Sequence, residues 1–278
     1  MIDSLEKRIA NKNLTKTEIV IADFFFHNKN RLYFLTSTDI AQELNISDTS
    51  VIRFVKSLGF NNFKEFKDSL KQQVSDKILT PSEKLTLNEE ILKNHNLMET
   101  FLACVNKNIQ ETLNVNTSKK IQKCIDILLN SKKKFIVGFK STSGPTSFFG
   151  LRLGFILKDV ITHRDNNSEL IKNIIDIQEN DCLFLIAHPK YSKTYTLLIE
   201  LAKNANAKII VITDKTTSPV ANLGDITLFT DVRGISYFNS IISTQTLLEF
   251  LLTSLSRNID DNGKARLASI NELLNENK

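Results

Sequence analysis

The chain has 278 residues, of which 41% are hydrophobic and 24% charged, and its formal net charge is +5. The length exceeds the roughly 100–200 residues of a usual single domain, so we expect two domains. Only 8 glycines and 4 prolines occur, which excludes collagen-like and low-complexity chains.

The sequence shows neither a membrane span nor a secretory signal. No uncharged apolar run approaches the roughly 18–20 residues that cross a bilayer. Residues 1–13 carry charges of both signs where a signal peptide needs an apolar block. We therefore expect a cytoplasmic protein with no membrane partner.

Three cysteines, Cys104, Cys124 and Cys182, form no C-x-x-C pair. Each lies among apolar neighbours, so we expect them to be small buried hydrophobic side chains. A disulfide framework or a zinc site would need other spacings. We predict no metal ligand and no cofactor.

The N-terminal region, residues 1–76, has apolar side chains at three- and four-residue spacing, which predicts an all-helical domain. Helix start signals recur along it. Thr15 and Glu18 have the spacing of a capping box, and Thr36 and Asp39 have that of a looser one. These short helices with polar connections predict a compact module.

Residues 77–96 are polar, contain Pro81 and show weak periodicity, so we interpret them as a linker. In residues 97–278 short apolar runs alternate with helical stretches. The predicted strands are Phe135–Val137, Asp159–Thr162, Cys182–Ile186, Lys208–Thr213 and Ile226–Phe229. The predicted helices are Asn96–Leu113, Ser118–Asn130, Thr146–Leu157, Tyr195–Ala205 and Ser240–Asn258. This alternation predicts an αβα sandwich around a mainly parallel five-stranded sheet, with ligands beyond the carboxyl ends of its strands.

Residues 36–59 have the pattern of a helix-turn-helix. A helix over Ser37–Leu44 precedes a polar turn plugged by Ile46, and a second helix follows over Asp48–Leu58. Ala41 is small enough to let the second helix cross the first closely. In this arrangement the second helix enters the major groove of DNA.

The outward residues of the second helix are suited to DNA. Arg53 has the geometry to bind guanine. Thr49 or Ser50 can contact bases or phosphates. Nearby lysines supply attraction to phosphates, which sets affinity but not sequence preference. On the pattern alone, a solvated helical bundle without a nucleic-acid role stays open. The predicted DNA contacts are Ser47, Asp48, Thr49, Ser50, Arg53, Lys56, Lys64 and Lys67.

The loop after the first predicted strand, residues 138–145, is rich in glycine and hydroxyl side chains. A strand that runs through such a turn into a helix favours a phosphate at the helix N-terminus. The spacing matches neither G-x-G-x-x-G nor G-x-x-x-x-G-K-[ST], which disfavours a nicotinamide or P-loop enzyme. An ordinary polar turn is the alternative.

The motifs of both halves resemble the RpiR-type bacterial transcriptional regulators. The resemblance covers almost the whole chain. It rests above all on Ser47-x-x-Ser50-Val51-Ile52-Arg53-Phe54, then Leu58-Gly59-Phe60 and the spaced Phe63 and Phe66. It implies an N-terminal winged-helix-like domain and a C-terminal SIS domain that senses phosphorylated sugars. The partners it implies are a double-stranded DNA operator, a phosphorylated sugar effector and further copies of the chain in a homodimer or homotetramer.

The resemblance also assigns ligand contacts. The loop at 138–145 is similar to the G-x-G-x-S-type phosphate motif, with Lys140 in place of the second glycine, and the loop at 187–194 is similar to a variant S-F-P-R-Y-S motif. Ala187 and Pro189 stand where the isomerases have serines, which weakens the expected phosphate site. The ligand residues implied are Gly138, Lys140, Ser141, Thr142, Ser143, His188, Lys190, Tyr191 and Ser192.

These observations favour a transcriptional regulator of a sugar or amino-sugar operon whose operator affinity responds to a phosphorylated sugar. One alternative is a regulator whose SIS domain only oligomerises. His188 is then a buried, satisfied ring, and Lys190 is merely solvated. The less favoured alternative is a sugar-phosphate isomerase, for which Glu249, Asp214 or His188 is the general base. We predict no catalytic residue.

Overall fold

The computed structural model describes residues 8–9, 12, 14–28, 32, 35–67, 69, 81–93 and 96–276. The chain divides into two compact units, Met1–Leu87 and Asn88–Lys278. Within the described residues, no helix combines the length and apolar composition needed to cross a bilayer.

The N-terminal unit is helical, with α1 at Lys16–His27, α2 at Ser37–Leu44 and α3 at Asp48–Ser57, and residues 63–67 are also helical. The two capping boxes predicted from the sequence are confirmed at the starts of α1 and α2. In each box the hydroxyl of the cap residue accepts a backbone N–H, and a carboxylate three residues later accepts the N–H of the cap residue.

Aromatic side chains form the centre of the N-terminal unit. Phe25 of α1 stacks on Phe66 with ring centroids 5.1 Å apart, and it also contacts Phe54 of α3. Val51 is fully buried beside them. Aromatic burial of this kind provides much of the hydrophobic stabilisation of a small domain, so the position of α3 is fixed by its inner face.

The C-terminal unit contains five strands and the helices that cover them. The strands are β1 Lys134–Val137, β2 Val160–His163, β3 Cys182–Ala187, β4 Lys208–Thr213 and β5 Ile226–Phe229. The helices from the linker onward are α4 Pro81–Leu92, α5 Leu97–Val115, α6 Ser118–Asn130, α7 Ser143–Ile156, α8 Ser168–Ile174, α9 Lys193–Asn204, α10 Ile242–Ser256 and α11 Asp261–Glu276.

The strands form one parallel sheet in the order β2-β1-β3-β4-β5. Every residue of β3 is buried, because helices cover both faces of the sheet. Successive side chains alternate between two separate cores, with Phe184 in one and Leu183 and Leu185 in the other. The predicted fold class, a helical domain followed by an αβα sandwich with a five-stranded parallel sheet, is confirmed.

Three helices were not predicted from the sequence. α8 has only seven residues, and its start depends on the Asn167 side chain. α11 is mostly exposed, with Gly263 its one buried residue, so it carries little apolar periodicity. α4 forms inside the predicted linker, residues 77–96, and the division between the two units falls within this helix. Residues 77–80, 94 and 95 lie outside the described residues.

Candidate DNA-binding and ligand-binding sites

The turn between α2 and α3 is tight and internally bonded. Asn45 ends α2 in the left-handed conformation, with φ 53°. The N–H of Ile46 donates to the carbonyl oxygen of Ala41 at 2.9 Å, and Ala41 is buried as predicted. Ser47 then caps α3, because its Oγ accepts the N–H of Ser50 at 3.2 Å. This geometry sets α3 closely across α2.

The two faces of α3 differ sharply in exposure. Val51, Phe54 and Leu58 are at most 3% exposed and face the core. The opposite side carries polar and basic side chains. Ser47, Thr49, Arg53, Lys56 and Lys64 are exposed, whereas Asp48, Ser50 and Lys67 are half-buried.

The far end of α3 is held by Arg8, a residue that none of the sequence motifs includes. Its Nη1 donates to the carbonyl oxygen of Leu58 at 2.7 Å, and its guanidinium lies 4.7 Å from the centroid of the Phe60 ring. Gly59 follows with φ +90°, a conformation that glycine adopts without strain. Arg8 lies about 50 residues earlier in the chain, so no local pattern indicated the contact.

In the C-terminal unit, the strand order locates a candidate ligand crevice. β1 connects to β2 on one side, while β3 connects to β4 on the other. The carboxyl ends of β1 and β3 therefore flank a topological switch point, where open parallel sheets bind their ligands. The predicted ligand residues lie in the loops that follow these strands, residues 138–142 and 188–192, and at Ser143, the first residue of α7.

The backbone at Gly138, at the start of the first loop, is closely surrounded. A Cβ built on Gly138 would collide with the hydroxyls of Thr146 and Thr142 and lie 3.2 Å from the carbonyl oxygen of Ile186. Thr146 Oγ1 is fully buried and has no hydrogen-bond partner in the described part of the chain. Position 138 therefore requires glycine for space.

The hydroxyls of the first loop are not equally available. Thr142 is 1% exposed, and its Oγ1 lies 2.9 Å from the carbonyl oxygen of Phe139 and 3.0 Å from that of Ile186. This argues against the phosphate contact predicted for Thr142, because its only proton is held by carbonyl groups. Ser143 Oγ donates to the carbonyl oxygen of Lys140 at 2.7 Å. Ser141 is exposed, and no bond of its side chain is seen within the described ranges.

His188 is buried at the end of β3. Its Nε2 lies 3.1 Å from Thr230 Oγ1 and 3.2 Å from Thr244 Oγ1, and these two hydroxyls are bonded to each other. Its Nδ1 is buried and has no partner among the described residues. Burial lowers the pKa of His188 to about 4, so the ring is neutral at pH 7 and offers no positive charge to a ligand.

Tyr191 and Ser192 have local partners. The Tyr191 hydroxyl donates to the Asp214 carboxylate at the end of β4, and burial raises the pKa of both groups. Ser192 caps α9, with its Oγ accepting the N–H of Thr194 at 3.2 Å. The loop after β3 is therefore tied both to β4 and to the start of α9.

Known families match both units. A model of the helix-turn-helix domain of the rpiR family matches residues 4–77, and a model of the SIS domain matches residues 127–254. The chain is a transcriptional regulator of the RpiR type. The resemblance stated from the sequence motifs is thus confirmed, and the SIS match includes both loops of the crevice.

The regulator is similar to curated proteins over most of its length. An uncharacterised HTH-type transcriptional regulator of Clostridium perfringens is 24% identical over 82% of each chain. Another from Haemophilus influenzae is 24% identical, over 78% of this regulator and 75% of the relative.

Solved structures share the fold of the regulator. The sugar isomerase domain of an RpiR transcription factor from Sphaerobacter thermophilus matches with a TM-score of 0.61 and 17% identity, over 64% of this chain and 99% of that domain. The NanR protein of Vibrio vulnificus, complexed with ManNAc-6P, matches with a TM-score of 0.58 and 17% identity, over 99% of this chain and 98% of NanR.

Proposed function

We propose that this regulator binds operator DNA through α3 and that a phosphorylated sugar in the β1/β3 crevice changes its affinity for that operator. The observation that carries the DNA part is the exposure of Thr49, Arg53 and Lys56 on the face of α3 opposite its buried core face. Side chains of these types hydrogen-bond bases and phosphates in the major groove. Lys64 and the half-buried Lys67 add attraction to phosphates.

The effector assignment is supported by the topology and by one relative. The crevice lies at the switch point of a parallel sheet, and its loops lead into the N-termini of α7 and α9, which favour anions. NanR, which shares the fold, is complexed with ManNAc-6P. We propose a phosphorylated sugar or amino sugar, contacted by Ser141, Lys140, Lys190 and Ser192, and regulation of an operon that metabolises it.

An isomerase is disfavoured by the surroundings of its candidate bases. His188 Nε2 is occupied by two hydroxyls, and Asp214 accepts the Tyr191 hydroxyl. Glu249 is exposed in the middle of α10. A general base must reach a substrate proton within hydrogen-bond distance. His188 is buried, with only 5% of the residue exposed, and the Asp214 carboxylate is already bonded to a neighbouring side chain. We therefore propose a regulator without enzymatic activity, and its DNA-binding domain favours a cytoplasmic location.

The regulator is proposed to act as a dimer or tetramer on a roughly two-fold operator, with half-sites about 34–36 Å apart or a multiple of that distance. Fluorescence anisotropy with a labelled fragment of its own promoter region tests this directly. The full chain is titrated with and without a panel of sugar phosphates. We expect salt-sensitive binding, and for one sugar phosphate a change in Kd of about 5–150-fold, the usual size of allosteric coupling.

Each proposal has an outcome that contradicts it. Absence of salt-sensitive binding to the promoter fragment contradicts the DNA-binding role. Binding that no sugar phosphate alters, together with no heat of binding for the same panel in calorimetry, favours the alternative in which the SIS domain only oligomerises. Turnover of a hexose or pentose phosphate by the full chain would support the isomerase.

A further inference from the structure

Five residues other than glycine adopt a positive φ in the described part of the chain. Three of them are Asn45, Asp159 and Asn206, residue types that tolerate this left-handed conformation because their short polar side chains bond locally. The other two are Lys140, with φ 57°, and Lys190, with φ 70°. Lysine has no such compensation, so its Cβ is strained against the backbone at both positions.

The two lysines occupy equivalent places in the fold. Lys140 is three residues after the last residue of β1, and Lys190 is three residues after the last residue of β3. They therefore lie one on each of the two loops that flank the switch point, whereas Asn45, Asp159 and Asn206 lie on other loops. Residues that break a local conformational rule are expected at functional sites, where the side chain has a use that offsets the strain.

The surroundings indicate what that use is. Both lysines are exposed, and neither forms an ion pair with an acidic residue within the described ranges. At this edge the Thr142 hydroxyl is held by two carbonyl groups, and the Thr146 hydroxyl has no partner among the residues that the structure describes. The half-buried Asp214 carboxylate already accepts the Tyr191 hydroxyl. Two exposed lysines, one on each of the loops that flank the switch point, attract a compact dianion bound there, and a lysine acts as a point charge.

We propose that Lys140 and Lys190 are the specificity-determining residues of this crevice, kept as lysines in a strained conformation so that two positive charges select a doubly charged phosphate monoester. This inference rests on the proposed effector site and adds how that site distinguishes doubly charged phosphate monoesters from other sugars. A singly charged or neutral sugar gains little from the pair, and binding weakens as salt screens the two charges.

Glycine substitution separates the side chain from the backbone strain. In the full chain, Lys140→Gly and Lys190→Gly remove an ammonium group while they relieve the left-handed conformation. We expect the Tm of each variant to be unchanged or a few degrees higher. We expect the Kd for ManNAc-6P and for inorganic phosphate, measured by calorimetry in a non-phosphate buffer, to rise about tenfold in each variant. Lys140→Arg and Lys190→Arg, which keep the charge, should stay within about threefold of the parent.

Asp159→Gly and Asn206→Gly are the matched controls, since they make the same backbone change away from the crevice, and both should leave phosphate binding unchanged. If the parent binds a probe and the lysine-to-glycine variants bind it equally well, the inference is wrong while the proposed effector site stands. A Tm that falls by several degrees in those variants also overturns it, because the lysines are then structural. If the parent binds neither probe nor any sugar phosphate of the panel, the proposed effector site fails, and this inference fails with it.

Discussion

Tyr191 and Asp214 join the loop after β3 to the end of β4 through a hydrogen bond of 2.5 Å between the Tyr191 hydroxyl and Asp214 Oδ1. Both groups are half-buried, so the phenol replaces water as a partner of the carboxylate. The bond therefore holds residues 188–192 in place beside the crevice, next to the left-handed Lys190.

Removing the Tyr191 hydroxyl should destabilise the C-terminal unit. Tyr191→Phe leaves the partly buried Asp214 carboxylate without this donor, so we expect the free energy of unfolding to fall by about 1 kcal/mol. Urea denaturation of the full chain measures the change. Tyr237→Phe is the control. Tyr237 is 43% exposed, so this variant should change the free energy of unfolding by no more than about 0.5 kcal/mol. Equal stability of the two variants would mean that the Tyr191 bond contributes nothing.

Asp214 should also give the stability a dependence on pH. Burial raises the pKa of this carboxyl above its usual value, so the folded chain holds the proton more tightly than the unfolded chain does. The stabilisation is then present at low pH and is lost as the pH rises through the folded pKa. Asp214→Asn removes that loss, so the parent should lose more stability than this variant between pH 4 and 7 in urea titrations. Parallel profiles would contradict the prediction.

His188 should give the stability of the fold the opposite dependence on pH. Burial lowers its pKa to about 4, so the unfolded chain binds the proton first as the pH falls. The stabilisation is present above the unfolded pKa of about 6.5, and about 3 kcal/mol is lost as the pH falls towards 4. Because burial also lowers the pKa of His163, the measured quantity is the difference in unfolding free energy between the parent and His188→Asn across this range. A constant difference would show that His188 is not buried and neutral.

The sequence predicted the sheet well because β1, β3 and β4 are mostly apolar runs whose residues are nearly all buried. The bounds of β4, β5 and α6 agree with the predictions at both ends, and Ser47 caps α3 as expected. These features depend on short-range patterns of burial and capping. The domain boundaries predicted from composition stay predictions.

The roles of single side chains were harder to predict, because they depend on contacts distant in sequence. Thr142 is a hydroxyl in a phosphate-like loop, but its proton is held partly by a carbonyl group of β3, 44 residues away. His188 is occupied by Thr230 and by Thr244, 56 residues away. Neither contact leaves a local pattern in the sequence. The left-handed backbone of Lys140 and Lys190 could not be predicted either, because lysine is not a residue type that indicates a positive φ.

Substitution of Gly138 should destabilise the fold, whereas substitution of Gly144, six residues later, should not. A Cβ at position 138 collides with two threonine hydroxyls, and no atom lies within 4 Å of a Cβ built at position 144. We therefore expect Gly138→Ala to lower the free energy of unfolding by about 1–3 kcal/mol through overpacking. Gly144→Ala, in the first turn of α7, should leave stability unchanged or raise it by up to about 1 kcal/mol. Urea denaturation of both variants checks the contrast, which disappears if the loop adjusts to the added methyl group.

Arg53 and Lys67 should affect DNA binding in different ways. Arg53 is exposed on the outer face of α3, so Arg53→Ala should lower the preference for one base pair of the operator by about 1–3 kcal/mol, seen as a loss of discrimination between operator and single-base variants. Lys67 is half-buried beyond α3, and Lys67→Ala should weaken binding to all sequences alike and reduce the slope of log K against log salt by about 1. Arg257→Ala, an exposed arginine just after α10, is the control and should change neither quantity. If Arg53→Ala instead weakened every sequence equally, Arg53 would be a phosphate contact, and sequence reading by α3 would have to depend on Thr49 or Ser50.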